Sequence, residues 1–316
     1  MRQEPKSVRI DVAATFACLG VLLLWSLGPN FIKYLTAHVD LWTQNLLRYS
    51  VACLFWLPFL LAGMKKRHIG AEVWKRALLP GSASIIFQSL WAGAFYYINP
   101  AFMVLLTKSS VVLIAGFSLI FFRSERPLVK SMGFWLGLVL SVVGVIGVVY
   151  HKQDFAASTT FIGILIGLAA AVMWAAYTLS IRIAFQDVDS RSGFSVMSIY
   201  TVIGLAVLAL KFGNLRQCTQ MSAWPWVAVV FSGVTSIALS HVLYYAAIRR
   251  IGATVPAIVI LAQPFTVLAI SHFAFGESMS GLQILFGLIL LAGSALAIWA
   301  QQHIRLVNGA AHTGDG

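Results

Sequence analysis

The feature that most constrains this chain is a succession of apolar stretches, each about as long as a bilayer is thick, with little polar sequence between them. A spanning helix needs about 20 predominantly apolar residues, because the hydrocarbon core offers its backbone no outside hydrogen-bond partner. Ten such stretches can be marked, at 12–37, 41–64, 74–98, 101–122, 131–150, 161–185, 194–212, 225–248, 253–275 and 282–300. They fill the 316 residues and leave no room for a soluble catalytic domain. Apolar residues make up 59% of the chain, above the roughly 45–50% of soluble domains. The chain therefore reads as an all-α membrane protein with ten transmembrane helices, spans one to ten. The first stretch is too long for a signal-peptide core and lacks a small-residue cleavage site, so it is expected to be retained. Cys18, Cys53 and Cys218 have neither metal-ligand nor disulfide-framework spacing and read as apolar fillers.

The spans fall into two copies of five. Phe95-Tyr96-Tyr97, an apolar span, a turn carrying Glu125 and a small-residue span recur as Leu243-Tyr244-Tyr245, an apolar span, Gly276-Glu277 and a second small-residue span. Trp25 precedes Lys33 in span one as Trp174 precedes Arg182 in span six. This gives an N-terminal tail 1–11, a five-helix repeat 12–150, an outside linker 151–160, a second repeat 161–300 and a polar tail 301–316, expected to be disordered. Cytoplasmic loops are enriched in Lys and Arg. With the head inside, 16 of the basic residues fall on inside segments and only Lys152, Lys211 and Arg216 outside, which places both termini in the cytoplasm. Five is odd, so the second copy is inverted with respect to the first. Inverted repeats are the signature of secondary transporters, whose site lies near the midplane between the copies.

Residues Gly276 to Gly293, GESMSGLQILFGLILLAG, resemble the end of the EamA-type repeat of the drug/metabolite transporter superfamily. So does Trp25-Ser26-Leu27-Gly28-Pro29-Asn30-Phe31 in span one, and Arg48 sits where that family often has an arginine. The resemblance covers about residues 12 to 300 as two five-helix copies. It implies a carrier for small organic metabolites, with a central cavity lined mainly by spans other than five and ten. The proline that the family carries within the repeat's fourth helix is present in span nine as Pro264, whereas alignment on the two glutamates puts Val112 there in span four.

Ionisable groups within spans are costly and tend to face cavities. Lys108 lies roughly 10 Å inside span four at ~1.5 Å per residue, and reads as facing a cavity, with snorkelling to the interface as the alternative. Arg48 shares a face of span two with Gln44 and Asn45 at helical spacing; it fits a cavity charge or a tie to neighbouring carbonyls. Lys33 and Arg182, near span ends, read as interface anchors. Trp25 and Trp174, deep and equivalent, are candidate cavity walls, and Gln263 precedes a proline that frees a backbone carbonyl. The candidate substrate-binding set is Trp25, Asn30, Arg48, Trp91, Tyr97, Lys108, Trp174, Tyr177, Tyr244 and Gln263. His241 and His272 read as packing residues, and the glycines of spans five, six and ten as sites of close helix contact.

All ten acidic residues fall in loops, tails or span edges. With no carboxylate expected in the interior, an organic cation would lack a partner, so a neutral, zwitterionic or anionic metabolite is favoured, moved by efflux or exchange. The cytoplasmic loops account for the basic balance, so no nucleic-acid partner is expected; nor is a cofactor or metal. The expected partners are a small-molecule metabolite and the lipid bilayer, with a homodimer left open. Two readings compete: an intramembrane enzyme, on the strength of Gly81-Ser82-Ala83-Ser84 and a span histidine, and a non-transporting sensor.

Overall fold

The structure is a computed structural model that describes residues 12–66, 69–121, 130–151, 158–185, 187–251 and 259–313. All regular structure among them is helical. The first half comprises α1 (Val12–Leu35), α2 (Leu41–Lys65), α3 (Ala71–Ala94), α4 (Pro100–Thr107), α5 (Ser110–Phe121) and α6 (Met132–Tyr150). The second comprises α7 (Ser158–Ala184), α8 (Ser190–Phe212), a 3-10 turn (Leu215–Gln220), α9 (Ala223–Ser232), a π-helical stretch (Gly233–Leu239), α10 (Ser240–Ile251), α11 (Gln263–Phe275) and α12 (Gly281–Thr313). Among the described residues, seven segments are long and apolar enough to cross a membrane. α4, α5 and α11 are too short to do so singly, at 8, 12 and 13 residues.

Two expectations about helix extent are corrected. The last helix does not stop at Ala300 before a disordered tail but continues to Thr313. Residues 301–313 contain no proline and several good helix formers, so a helix nucleated by the packed apolar part propagates through them. Span four, expected to be continuous, is broken at Lys108-Ser109 into α4 and α5.

The neighbours of each helix follow a pattern set by the duplication. α1 packs on α10 and α11, and its counterpart α7 packs on α3 and on α4 with α5. α2 packs on the π stretch and α9, and its counterpart α8 on α3. α2 with α8, α4 with α11 and α6 with α12 pair across the halves. Exchanging the two halves leaves this pattern unchanged. The α6–α12 pair is the closest approach: a Cβ on Gly137 would lie 2.7 Å from both Gly293 O and Ala297 N. The opposite faces of these two helices, with Leu136, Val139, Leu285 and Leu288, are exposed, as lipid-facing surfaces are.

Loop contacts sort the connections into two ends. At one, Asp40 caps α2 through Trp42 N and Thr43 N at 2.9 and 3.1 Å and accepts from Asn214 N at 2.9 Å, while its own N–H donates to Gln217 Oε1 at 2.8 Å. Burial pushes the Asp40 carboxyl up, but the hydrogen bonds from Thr43, Asn214 and Trp42 outweigh it and hold its pKa below the usual carboxylate range. Lys33 lies at the same end, in the last turn of α1. Its Nζ donates to Phe95 O at 2.9 Å and Ile98 O at 3.5 Å, serving the C-cap carbonyl of α3 and one in the turn that follows. At the other end, Arg76 at the start of α3 pairs with Asp187 before α8, at 2.7 Å. The side chain of Arg182 lies outside the described residues.

Candidate functional site

Both copies break their fourth helix, at places one residue apart when Glu125 and Glu277 are aligned. In the first, Lys108 and Ser109 form a turn, with their N–H groups donating three residues back, to Leu105 O at 3.1 Å and Leu106 O at 3.2 Å. The Thr107 and Ser109 hydroxyls donate to Val104 O and Leu106 O, each at 2.8 Å, competing for the carbonyls that an α-helix would use. In the second, Leu261 and Ala262 form the turn, and α11 restarts with Gln263-Pro264 in its first turn, where a missing N–H costs nothing. Pro264 thus opens a helix rather than kinking the middle of one. Most of the stretch before it, 252–258, lies outside the described residues.

The two breaks meet. Lys108 Nζ donates to Gln263 Oε1 at 2.8 Å, and Gln263 Nε2 donates to Trp25 O at 2.9 Å. One amide therefore links spans four, nine and one. Beside it lies a cavity of about 190 Å³, with room for a small metabolite rather than a drug-sized ligand, whose pockets run to ~300–1,000 Å³.

Aromatic rings wall the cavity. Trp25 meets Trp174 edge-on at 6.2 Å and Tyr244 at 5.0 Å, while Phe87 lies between Trp91 (5.9 Å) and Trp174 (5.0 Å). Arg48, 3% exposed, lines the same cavity and donates from Nε to Ser232 Oγ at 2.9 Å. One edge of the guanidinium is thus tied to α9, through a hydroxyl rather than the expected carbonyls. Gln44 and Asn45 turn instead to α3 and its end, through Tyr96 OH at 2.7 Å and Gln88 O at 2.9 Å.

The π stretch shapes the opposite wall. Single π turns inside α-helices often mark functional sites. Here one lets α2 approach closely, because a Cβ on Gly233 would lie 2.7 Å from Arg48 O. It also presents Ser236, Ile237 and His241 to the cavity. His241 Nδ1–H donates to Ile237 O at 2.7 Å, leaving Nε2 as an acceptor, and the ring stacks on Phe194 at 5.2 Å.

Of the candidate residues, Trp25, Arg48, Trp91, Lys108, Trp174, Tyr244 and Gln263 line this one cavity. Asn30, Tyr97 and Tyr177 do not. Asn30 is buried and folds back on Ser26 O at 3.0 Å; Tyr177 is buried against Phe87 and Trp174; Tyr97 lies beyond the end of α3 and is exposed. Sequence reasoning did not place Phe87, Gln88, Thr107, Ser236 or His241 in the cavity. The polar run Thr107 to Ser110 within an apolar span was the available signal for the first break. Among the described residues, neither α6 nor α12 contributes to the lining, and no lining residue is acidic. Glu277, in the turn just past the end of α11, is 3% exposed but does not line the cavity. Gly81 packs under Tyr200, where an added Cβ would lie 2.9 Å from the Tyr200 Cβ, so this glycine serves close helix contact.

Comparison with known proteins agrees with this architecture. The EamA-like transporter family matches the chain twice, over residues 12–150 and 161–299. The uncharacterized transporter sll1319 of Synechocystis sp. is 24% identical over 90% of this chain and 86% of its own length. An uncharacterized transporter of Haemophilus influenzae is 22% identical over 88% of this chain and 94% of its own. A solved crystal structure shares the fold at a TM-score of 0.63 and 17% identity, covering 92% of this chain and 98% of that one.

Proposed function

The chain belongs to the EamA-like transporter family, and on that premise we propose that it is an alternating-access carrier of ten spans in two inverted halves, both termini cytoplasmic, exporting or exchanging a small metabolite that bears a carboxylate. The observation that carries the cargo class is the charge of the cavity: Lys108 and Arg48 line it together, with no acidic side chain among the described lining residues. Buried cations without a fixed counter-charge favour a guest that brings one. An anionic or zwitterionic metabolite does so, and a neutral one can still use Gln263, Ser236 and His241 as hydrogen-bond partners. An organic cation would face two like charges.

The walls divide the work. Lys108 offers three donors on a flexible stem, whereas Arg48 offers a planar fork anchored at Nε. The indoles of Trp25, Trp91 and Trp174 give an apolar body a surface to rest on. Binding at the seam between the halves lets closure of either end be felt by the same site, and broken helices supply such seats in other inverted-repeat carriers.

The test is uptake and efflux in membrane vesicles with and without the protein, using a radiolabelled panel of monocarboxylates, amino acids and organic cations. Movement of carboxylate-bearing compounds alone is expected; movement of the cations would overturn the cargo class. Reporter fusions after Ser158 and Arg305 should read outside and inside, and matching signals from both would contradict the ten-span topology.

A further inference from the structure

Glu277 belongs to the turn that the sequence repeats, yet it lines no part of the cavity, and the carrier reading gives it no task. Gly276, at φ 65°, ends α11 in a left-handed turn that a side chain would strain. Gly276 N–H donates to His272 O at 3.0 Å, the bond of an αL cap, and Glu277 N–H donates to Ser271 O at 3.3 Å. That turn fixes where the Glu277 side chain leaves the backbone, and His272 Nδ1 holds the Glu277 carbonyl at 3.0 Å. The two carboxylate oxygens accept from the N–H groups of Ala101 and Phe102, at 3.0 and 3.2 Å. These are donors of the first turn of α4, which no partner within the helix can satisfy. Asn99, at the N-cap, makes no side-chain cap bond. The cap of α4 is therefore supplied by the other half of the chain.

α4 and α11 are fastened at both ends. The start of α4 meets Glu277, just past the end of α11, and its end, Lys108, meets Gln263, the first residue of α11. The two helices thus run antiparallel and are pinned across the halves at two points. α4 is eight residues long and every one of them is buried. So short a packed helix moves as a rigid piece, and a shift at its start is carried to Lys108, about 12 Å along its axis.

We infer that Glu277 is a positioning residue for Lys108: by capping α4 from the second half of the chain, it sets where the Lys108 ammonium sits in the cavity. The consequence for cargo rests on the carrier reading; the placement does not, and it is tested without transport. With Cys18, Cys53 and Cys218 changed to Ser, Thr107→Cys puts a single thiol on the last residue of α4, where the native side chain is buried. Its rate of modification by N-ethylmaleimide in membranes reports how firmly α4 is seated. Glu277→Ala should raise that rate about fivefold, the scale of a lost helix cap. Glu277→Gln, which keeps an acceptor and drops the charge, should raise it about twofold. Glu72→Ala, on the exposed start of α3, should leave it unchanged.

An unchanged rate in Glu277→Gln and Glu277→Ala overturns the inference, as does an equal rise in Glu72→Ala. Should Glu277→Ala not reach the membrane, Glu277→Gln alone decides. If carboxylates are carried but labelling ignores residue 277, the placement fails while the carrier reading stands. If labelling responds and nothing on the panel is carried, the reverse holds.

Discussion

At the first break the chain reads Leu106-Thr107-Lys108-Ser109-Ser110, and at the second Leu261-Ala262-Gln263-Pro264. Both interrupt the fourth helix of a repeat, within a residue of each other in register, and each presents a polar side chain to the same cavity. Their causes differ. The second reopens on a proline, whose missing N–H costs nothing in the first turn of the new helix; the first relies on hydroxyls that claim carbonyls in the preceding turn. Their chemistry differs too, since one offers an ammonium and the other a neutral amide that holds it at 2.8 Å. A duplicated fold has kept the geometry of the break in both copies while dividing the recognition groups between them. The wall opposite shows the same division: Arg48 comes from α2 of the first half, whereas His241 and Ser236 come from the second.

Removing the cation from the first break is expected to have the largest effect. At an effective dielectric of ~20, two unit charges ~4 Å apart attract by about 4 kcal/mol before desolvation. Hydrogen bonds to charged groups are worth about 1.5–3 kcal/mol net, so Lys108→Met should weaken the apparent affinity for a carboxylate cargo at least about tenfold at near-normal membrane abundance. Lys108→Arg should fall between Met and wild type. Unchanged affinity in Lys108→Met would return Lys108 to a purely structural place.

Next comes the amide of the second break. Gln263→Leu removes both the acceptor for Lys108 and the donor to Trp25 O, and leaving buried polar groups unpaired costs about 1–3 kcal/mol. A lowered melting temperature of the detergent-solubilised protein is expected, with a smaller loss of affinity than in Lys108→Met. A stability equal to wild type would mean that the link between the breaks is incidental.

Trp25→Ala and Trp174→Ala test whether the walls are as equivalent as their positions. Aromatic pairs add about 0.5–1.5 kcal/mol beyond burial, so each should weaken cargo affinity by roughly threefold, and by similar amounts. Loss confined to one of them would show that cargo leans on a single half.

Pro264→Ala should do least. Proline in the first turn of a helix sets the backbone without replacing a bond, and its loss costs under about 1 kcal/mol. Thermal unfolding should shift little and transport should persist. A collapse of transport would mean that the second break depends on proline in a way the first does not.

Much of the fold was legible because a bilayer leaves the backbone few choices. The apolar periods located the long helices, and the glycines of spans five and ten read as sites of close helix contact, which the structure brings together at Gly137 and Gly293. Lys108, Arg48 and the two tryptophans were legible as charges and rings too deep to be accidental. What escaped was decided by backbone detail. The hydroxyl-driven break after Thr107 carries no proline, and the π stretch that turns His241 into the cavity has no side-chain signature. Lys33 and Glu277 looked like edge charges, yet both serve helix ends contributed by distant parts of the chain. Tyr97 was misplaced because an aromatic pair repeated in sequence need not face the same way: Tyr96 turns inward to Val39 O at 2.6 Å, and its neighbour is left outside.

The central claim is that the two breaks form one seat for the cargo, and exchanging their side chains tests it most directly. Lys108→Gln alone should lose most carboxylate transport. Adding Gln263→Lys places an ammonium on the other side of the same contact, and transport should recover to within a few-fold of wild type, since a hydrogen-bonded pair reversed in place keeps most of its coupling. A double variant as inactive as Lys108→Gln, at equal membrane abundance, would contradict a shared seat and leave each break to act alone.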